Sequence, residues 1–238
     1  MLETDRQEVL VFLMRLISDF DGVIVDLSER YYQVYCWLLE QFPGQDTVCL
    51  SKEKFWELKR RHAPLDEIAT LSGLNDILIP KFIELRNDNA HKLEHMVHDR
   101  VIDGSLEALE FAQNQGWEIM TVTMRRKSEL DEVLRLNPAI TNYIPGDRRF
   151  TKSDHATRDR DIDLKPILLD ETLLQLPPAE TTWMVGDTEA DIRSARACNI
   201  PIISVLSGIR DRQILKEFEP DYIVENLLEA VKLIQTKL

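Results

Sequence analysis

Two acidic residues, Asp19 and Asp21, follow the apolar pair Leu16-Ile17 and precede Gly22. If strand geometry persists that far, side chains two positions apart leave the chain on the same side. Gly22 then allows a tight reversal that a bulkier residue would hinder. Gly186-Asp187-Thr188-Glu189-Ala190-Asp191 repeats the theme after the apolar stretch Thr182–Val185, with Asp191 one helical turn beyond Asp187. Carboxylates gathered on one sheet edge repel one another by about 4 kcal/mol per pair at about 4 Å and an effective dielectric of about 20. Such a cluster calls for a cation, and hard oxygen ligands favour Mg²⁺, which keeps several waters and reaches a substrate phosphate. Each acidic residue alone reads equally as a turn former or helix cap. Four of them at two strand ends, with Thr123 and Lys165 suitably placed, read as a metal-dependent site.

The elements that must position these residues are short apolar runs followed by helical periodicity. Besides Leu16-Ile17 and Thr182–Val185 they are Trp117–Thr123, Pro201–Leu206 and Asp221–Val224, with Thr141–Pro145 a weaker candidate. Strands alternating with helices imply an α/β fold with a mostly parallel sheet covered on both faces. In such a sheet, ligands bind beyond the carboxyl ends of the strands. Leu27 to Asp99 differs, with three amphipathic patterns over Tyr31–Gln41, Lys52–Arg61 and Ile79 to about His98 and no convincing strand. The expected division is a core of residues 1–26 and 99–238 with an all-helical insertion at 27–98 over the carboxyl edge. Asn137-Pro138 and Pro177-Pro178 mark breaks, and Asp147–Asp163 reads as a solvated loop.

Length and charge fit this reading. The chain has 238 residues, 44% apolar and 30% charged, enough for a core domain carrying a smaller one. A net charge of −13 repels nucleic acid and anionic lipid, so an anionic substrate needs local cations. Cys36, Cys49 and Cys198 form an odd set without a CxxC pair, which argues against a secreted disulfide framework and a zinc ribbon. Val9 to Ile17 is too short to span a bilayer and lacks a basic start, so the cytoplasm is the expected compartment. Nothing in the sequence points to an oligomeric state, and Met1–Val11 reads as either an extra strand or a frayed end.

Asp19-Phe-Asp-Gly-Val resembles the first motif of the haloacid dehalogenase-like (HAD) superfamily, and Gly186-Asp-Thr-Glu-Ala-Asp191 resembles its fourth. Thr123 at a strand end resembles the second, and Lys165-Pro166, opening a helix after a loop, the third. All four occur in the family's order and span nearly the whole chain. The family commonly carries a helical cap just after the first motif, where 27–98 lies. The phosphoglycolate phosphatase and β-phosphoglucomutase-like groups look nearest.

The resemblance implies a Rossmann-like HAD-type fold and a Mg²⁺-dependent phosphatase acting on a small phosphorylated metabolite. Asp19 is then the nucleophile, forming an aspartyl-phosphate, and Asp21 the general acid and base. Mg²⁺ would be held by Asp19, Asp187 and the Asp21 backbone carbonyl, with Asp191 steadying its water shell. Thr123 and Lys165 would bind the phosphoryl group and balance its charge, Lys127 and Lys152 being substitutes for Lys165. Arg125 and Arg126, just after Thr123, could approach an anionic substrate, but solvated side chains are the expectation. In the cap, Arg60 and Arg61 of the basic patch Lys59–His62 are candidates for a substrate's carboxylate or second phosphate. The alternatives are a phosphomutase with the same motifs and a non-catalytic regulator that binds a phosphorylated ligand. A receiver-type domain would place its phosphorylated Asp at a later strand and lack the insertion. His91-Lys-Leu-Glu94-His95 matches the inverted zinc-protease pattern, with His98 one turn on, but no downstream acidic ligand completes it.

Overall fold

The computed structural model describes residues 12–44, 46–153 and 160–238, so Met1–Val11 lies outside the described residues. In chain order the elements are β1 (Phe12–Ser18), β2 (Val25–Asp26), α1 (Ser28–Leu39), α2 (Lys52–Arg60), α3 (Leu65–Leu71), α4 (Ile79–Asn89), β3 (Arg100–Val101), α5 (Ser105–Asn114) and β4 (Glu118–Arg126). They continue with α6 (Lys127–Leu136), β5 (Arg149–Lys152), α7 (Asp161–Leu174), β6 (Ala179–Gly186), α8 (Glu189–Ala197), β7 (Ile202–Val205), α9 (Arg212–Glu217), β8 (Tyr222–Val224) and α10 (Leu227–Gln235). Six strands form one parallel sheet in the order β5-β4-β1-β6-β7-β8. Apolar residues fill both faces of the central strands, as parallel sheets covered by helices require. Leu16 and Val185 join the cluster with Leu109, Leu130 and Val231 on one face, and Ile17 and Met184 join Leu169, Ile192 and Leu215 on the other.

The chain runs outward from β1 through β4 to β5, then returns to the other side of β1 with β6. The reversal puts the carboxyl ends of β4, β1 and β6 side by side, the place where such sheets bind ligands. Between β1 and β4 the helices α1 to α4 build an apolar cluster of their own from Val34, Leu38, Phe55, Leu58, Ile68 and Phe82. The antiparallel pair β2 and β3 joins this inserted region to the sheet, matching Val25 with Val101 and Asp26 with Arg100.

Several expectations need correction. The pattern from Ile79 to His98 is not one helix: α4 ends at Asn89, and a 3₁₀ turn follows at Leu93–His98. The break coincides with the Arg30 guanidinium, which donates to the carbonyl of Ala90 at 3.1 Å. Leu65–Leu71 is an additional helix. Thr141–Pro145 is no strand; Thr141 Oγ1 donates to the Pro138 carbonyl at 2.7 Å in a 3₁₀ turn over Pro138–Asn142. The stretch read as a solvated loop contains β5, half-buried and rich in charge as edge strands are.

Cys36 and Cys49 form a disulfide within the inserted region, with Cα atoms 5.5 Å apart, while Cys198 is free. Both residues border the cluster of α1 to α4, so burial brings together cysteines that spacing alone did not pair. Closing a loop of this length stabilises by about 3 kcal/mol. Dithiothreitol is therefore expected to lower the urea-unfolding free energy by about that amount, read from unfolding curves with and without reductant.

Candidate active site

Register alone brings the expected residues together. Ser18 is level with Thr121 of β4 and Val185 of β6, so Asp19, Thr123 and Asp187 all emerge within two positions of one line. The Asp19 amide donates to the Val185 carbonyl at 2.8 Å and its Oδ1 accepts from the Phe20 amide at 2.7 Å, which pins the carboxylate at the strand tip. Lys165 on α7 lies buried beneath, its Nζ 2.7 Å from Asp19 Oδ2 and 2.6 Å from Asp191 Oδ1. The lysine stands in the second turn of α7, which begins at Asp161, so Pro166 lies inside the helix rather than at its start. Asp191 also caps α8, its Oδ2 accepting from the Asp187 amide, the Thr188 amide and Thr188 Oγ1. Thr123 is buried at the same edge, and its Oγ1 accepts from the Arg125 amide at 3.2 Å.

Three carboxylates thus face a single ammonium. Burial raises Asp19 well above the usual carboxylate range; Lys165 opposes this, and Asp191, Asp187 and Asp21 add to it. Burial, then the neighbouring Asp191, pushes Asp187 up to about 7, although the Ile209 amide donates to it at 2.7 Å. Burial works against the Lys165 ammonium, but Asp19 and Asp191 outweigh it and raise its pKa. This imbalance fits a divalent cation. Oxygens of Asp19, Asp187 and Asp191 come within 4.8 Å of one another, the one such group of potential metal ligands among the described residues. An all-carboxylate donor set suits a hard ion.

Glycines make the room. A Cβ on Gly22 or on Gly208 would collide with the Asp187 carboxylate, and Gly22 also sits at φ +73°. Gly208→Ala is expected to displace Asp187 and weaken divalent-ion binding at least about tenfold, measured by titrating the ion into the variant and the parent.

Arg125 is a residue the sequence reading misplaced. It is not solvated but 3% exposed. Its Nε donates to Asp21 Oδ1 at 2.5 Å and its Nη2 to Asp99 Oδ2 at 2.6 Å. Asp99 in turn pairs with Arg30 of α1 at 2.8 Å. Burial raises Asp99 and is opposed by Arg125 and Arg30. Asp21 is therefore tied through two guanidinium groups to the inserted region.

A cavity of about 260 Å³ opens between the sheet edge and the helices of the insertion, lined by Asp19, Asp21, Thr123, Lys165 and Asp187 below. Above, Lys59 and His62 line it, whereas Arg60 and Arg61 do not. Arg60 Nη2 donates to the Arg210 carbonyl at 3.2 Å, and Arg61 pairs with Glu67 on the outside. Of the substitutes for Lys165, Lys127 pairs with Asp131 at the surface and Lys152 ends β5. The histidine pattern disperses because its helix breaks: His91 faces Glu129 at 3.5 Å, and His95 lies tilted beside Trp37 with ring centroids 6.4 Å apart.

Comparisons with known proteins agree with this geometry. A HAD-hydrolase-like family model matches residues 163–230, the part carrying Lys165, Asp187 and Asp191. The chain is 34% identical over 220 residues to a pyrophosphatase PpaX homologue of Caldanaerobacter subterraneus subsp. tengcongensis, covering 92% of this chain and 94% of that one. It is 26% identical over 157 residues to a phosphoglycolate phosphatase of Nitrosococcus oceani, covering 64% of this chain and 63% of that protein. A haloacid dehalogenase-like family hydrolase of Streptococcus pneumoniae shares the fold, with a TM-score of 0.65, 18% identity and coverage of 94% and 98%. No helix among the described residues is long and apolar enough to cross a membrane. With its Asp-tipped parallel sheet, helical insertion and near-full-length kinship, the chain belongs to the haloacid dehalogenase-like hydrolase superfamily.

Proposed function

We propose that this protein is a Mg²⁺-dependent phosphatase that hydrolyses a small phosphorylated metabolite through a phosphorylated Asp19. The supporting observation is the buried Asp19 carboxylate, aimed from the tip of β1 into the cavity and held by Lys165 at 2.7 Å. A carboxylate oxygen of Asp19 attacks phosphorus, and the bond from phosphorus to the leaving oxygen breaks. Asp21, at the mouth of the same turn, gives that oxygen a proton. It then takes a proton from the water that attacks the phosphoryl group, which returns Asp19 as a carboxylate and releases inorganic phosphate. Thr123 donates its hydroxyl to a phosphoryl oxygen, and Lys165 carries a fixed positive charge beneath the reacting centre. Asp19, Asp187 and the Asp21 carbonyl would hold Mg²⁺, with Asp191 oriented by its capping bonds as the outer support, and the ion would neutralise charge on the phosphoryl group.

Residues 27–98 serve in this reading as the cap domain and 1–26 with 99–238 as the core domain. The cytoplasm is the proposed compartment. The curated relatives are named for hydrolysis, of phosphoglycolate in one case and of pyrophosphate in the other. This favours water over a sugar hydroxyl as acceptor. The test is release of phosphate from p-nitrophenyl phosphate with Mg²⁺ and with EDTA. Release that needs Mg²⁺ is expected, while equal release in EDTA, or none from folded, Mg²⁺-loaded protein with this ester and a panel of small phosphate esters, sinks the proposal.

A further inference from the structure

The cavity has two electrostatically different ends. Its floor is the carboxylate cluster with Lys165. In its upper wall, Lys59 of α2 and Arg86 of α4 lie against the ring of Tyr31 on α1, with Nζ and Cζ at 5.6 and 5.4 Å from its centroid; a third cation, Arg30, lies 5.1 Å from the same centroid but pairs with Asp99. The other strong cations lining the cavity have anionic partners: Lys165 has Asp19 and Asp191, Arg125 has Asp21 and Asp99, and Arg210 has Glu189 at 2.8 Å. Among the described residues, neither Lys59 nor Arg86 makes an ion pair with a carboxylate. In a chain of net charge −13, carboxylates are plentiful, so two neighbouring cations that lack one stand out. A ring face attracts one cation but cannot cancel the repulsion between two. Burial, then Arg86 and Arg210, pushes the Lys59 ammonium down to about 7, and an anion seated between them would reverse that.

Helix phase explains why Lys59 faces inward: it stands one turn after the buried Phe55 on α2. α2 ends at Arg60, and His62 takes the left-handed conformation at φ 61°, which turns the chain so that Arg61 meets Glu67 outside. We propose that Lys59 and Arg86 form a subsite for a second anionic group, a carboxylate or a second phosphate, on the molecule whose phosphoryl group Asp19 attacks. The placement of the phosphoryl end rests on the phosphatase reading above. The subsite makes the substrate a phosphate compound charged at both ends, short enough for its two ends to sit in one cavity.

Equilibrium binding tests this without turnover. Isothermal titration in Mg²⁺ would compare phosphonoacetate and methylenediphosphonate, each with two charged ends, with methylphosphonate, which has one. At least one two-ended probe is expected to bind about tenfold more tightly than methylphosphonate, and which one does so identifies the second group. That advantage is expected to shrink at least about fivefold in Lys59→Gln and in Arg86→Gln, and to vanish in the double variant. Lys59→Arg, which keeps the charge, is expected to retain it and so covers the case in which a glutamine variant fails to fold. Equal affinities for all three probes, no measurable binding of either two-ended probe, or an advantage that survives the double variant would overturn the subsite. Preference without phosphate release in the earlier assay would sink the hydrolase reading alone; release without preference would sink the subsite alone.

Discussion

Asp19→Asn is expected to remove at least about four orders of magnitude from kcat while leaving the protein, in EDTA, at least as stable as its parent. The first half follows from the role: an amide oxygen is too weak a nucleophile to form the phosphorylated intermediate. The second half follows from the charge count of the pocket. Asp19, Asp187 and Asp191 share one buried ammonium, Lys165, and burial already holds Asp19 and Asp187 above the normal carboxylate range. Removing one of three crowded negative charges relieves repulsion, and Lys165 keeps Asp191 at 2.6 Å. Asparagine also preserves the volume and accepts from the Phe20 amide as the carboxylate does. Thermal melts in EDTA beside initial rates in Mg²⁺ check both halves. A variant that loses activity and also melts well below the parent would show Asp19 to be a structural anchor instead.

Asp99→Asn is expected to destabilise the protein by about 3–5 kcal/mol, because it strips a buried counterion from two guanidinium groups at once. Asp99 is 1% exposed, Arg30 1% and Arg125 3%, so water cannot take its place. For a chain of this size that loss lowers the melting temperature by roughly 6–20 °C. It also reaches the chemistry. With Asp99 neutral, Asp21 becomes the only carboxylate on Arg125 among the described residues and is held to it at the moment it must exchange protons. A fall of kcat by about tenfold or more, larger than any change in KM, is expected below the melting range. If kcat is unaffected where the variant is fully folded, the network is purely structural.

The strand tips were readable because apolar runs that stop at Asp leave few other interpretations in a parallel sheet. Lys165 was readable through the Pro beside it, although the helix starts a turn earlier than that Pro suggests. Arg125 was not. It sits in Arg-Arg-Lys, a sequence like any wet strand end, and its partners Asp21 and Asp99 lie 104 and 26 positions away. Only the folded chain brings them within reach. The basic patch in the insertion was visible, but which of its members line the cavity, Lys59 and His62, was not, since that depends on how α2 lies over the sheet edge. β5 escaped for a related reason: a half-buried edge strand needs no apolar run.

The contact between the end of α2 and the loop after Gly208 has a kinetic consequence. Two hydrogen bonds join them, from the Asp211 amide to the Arg60 carbonyl at 3.1 Å and from Arg60 Nη2 to the Arg210 carbonyl. Each is worth about 1 kcal/mol net, far weaker than the buried Arg30–Asp99–Arg125–Asp21 network that joins the other side of the insertion to the sheet. On those two bonds alone, about 2 kcal/mol, roughly three molecules in a hundred have this edge unlatched at any instant, while the ion-pair network holds the other side. Entry and exit are then matters of frequent breathing, and solvent viscosity, through its drag on that motion, becomes a determinant of turnover.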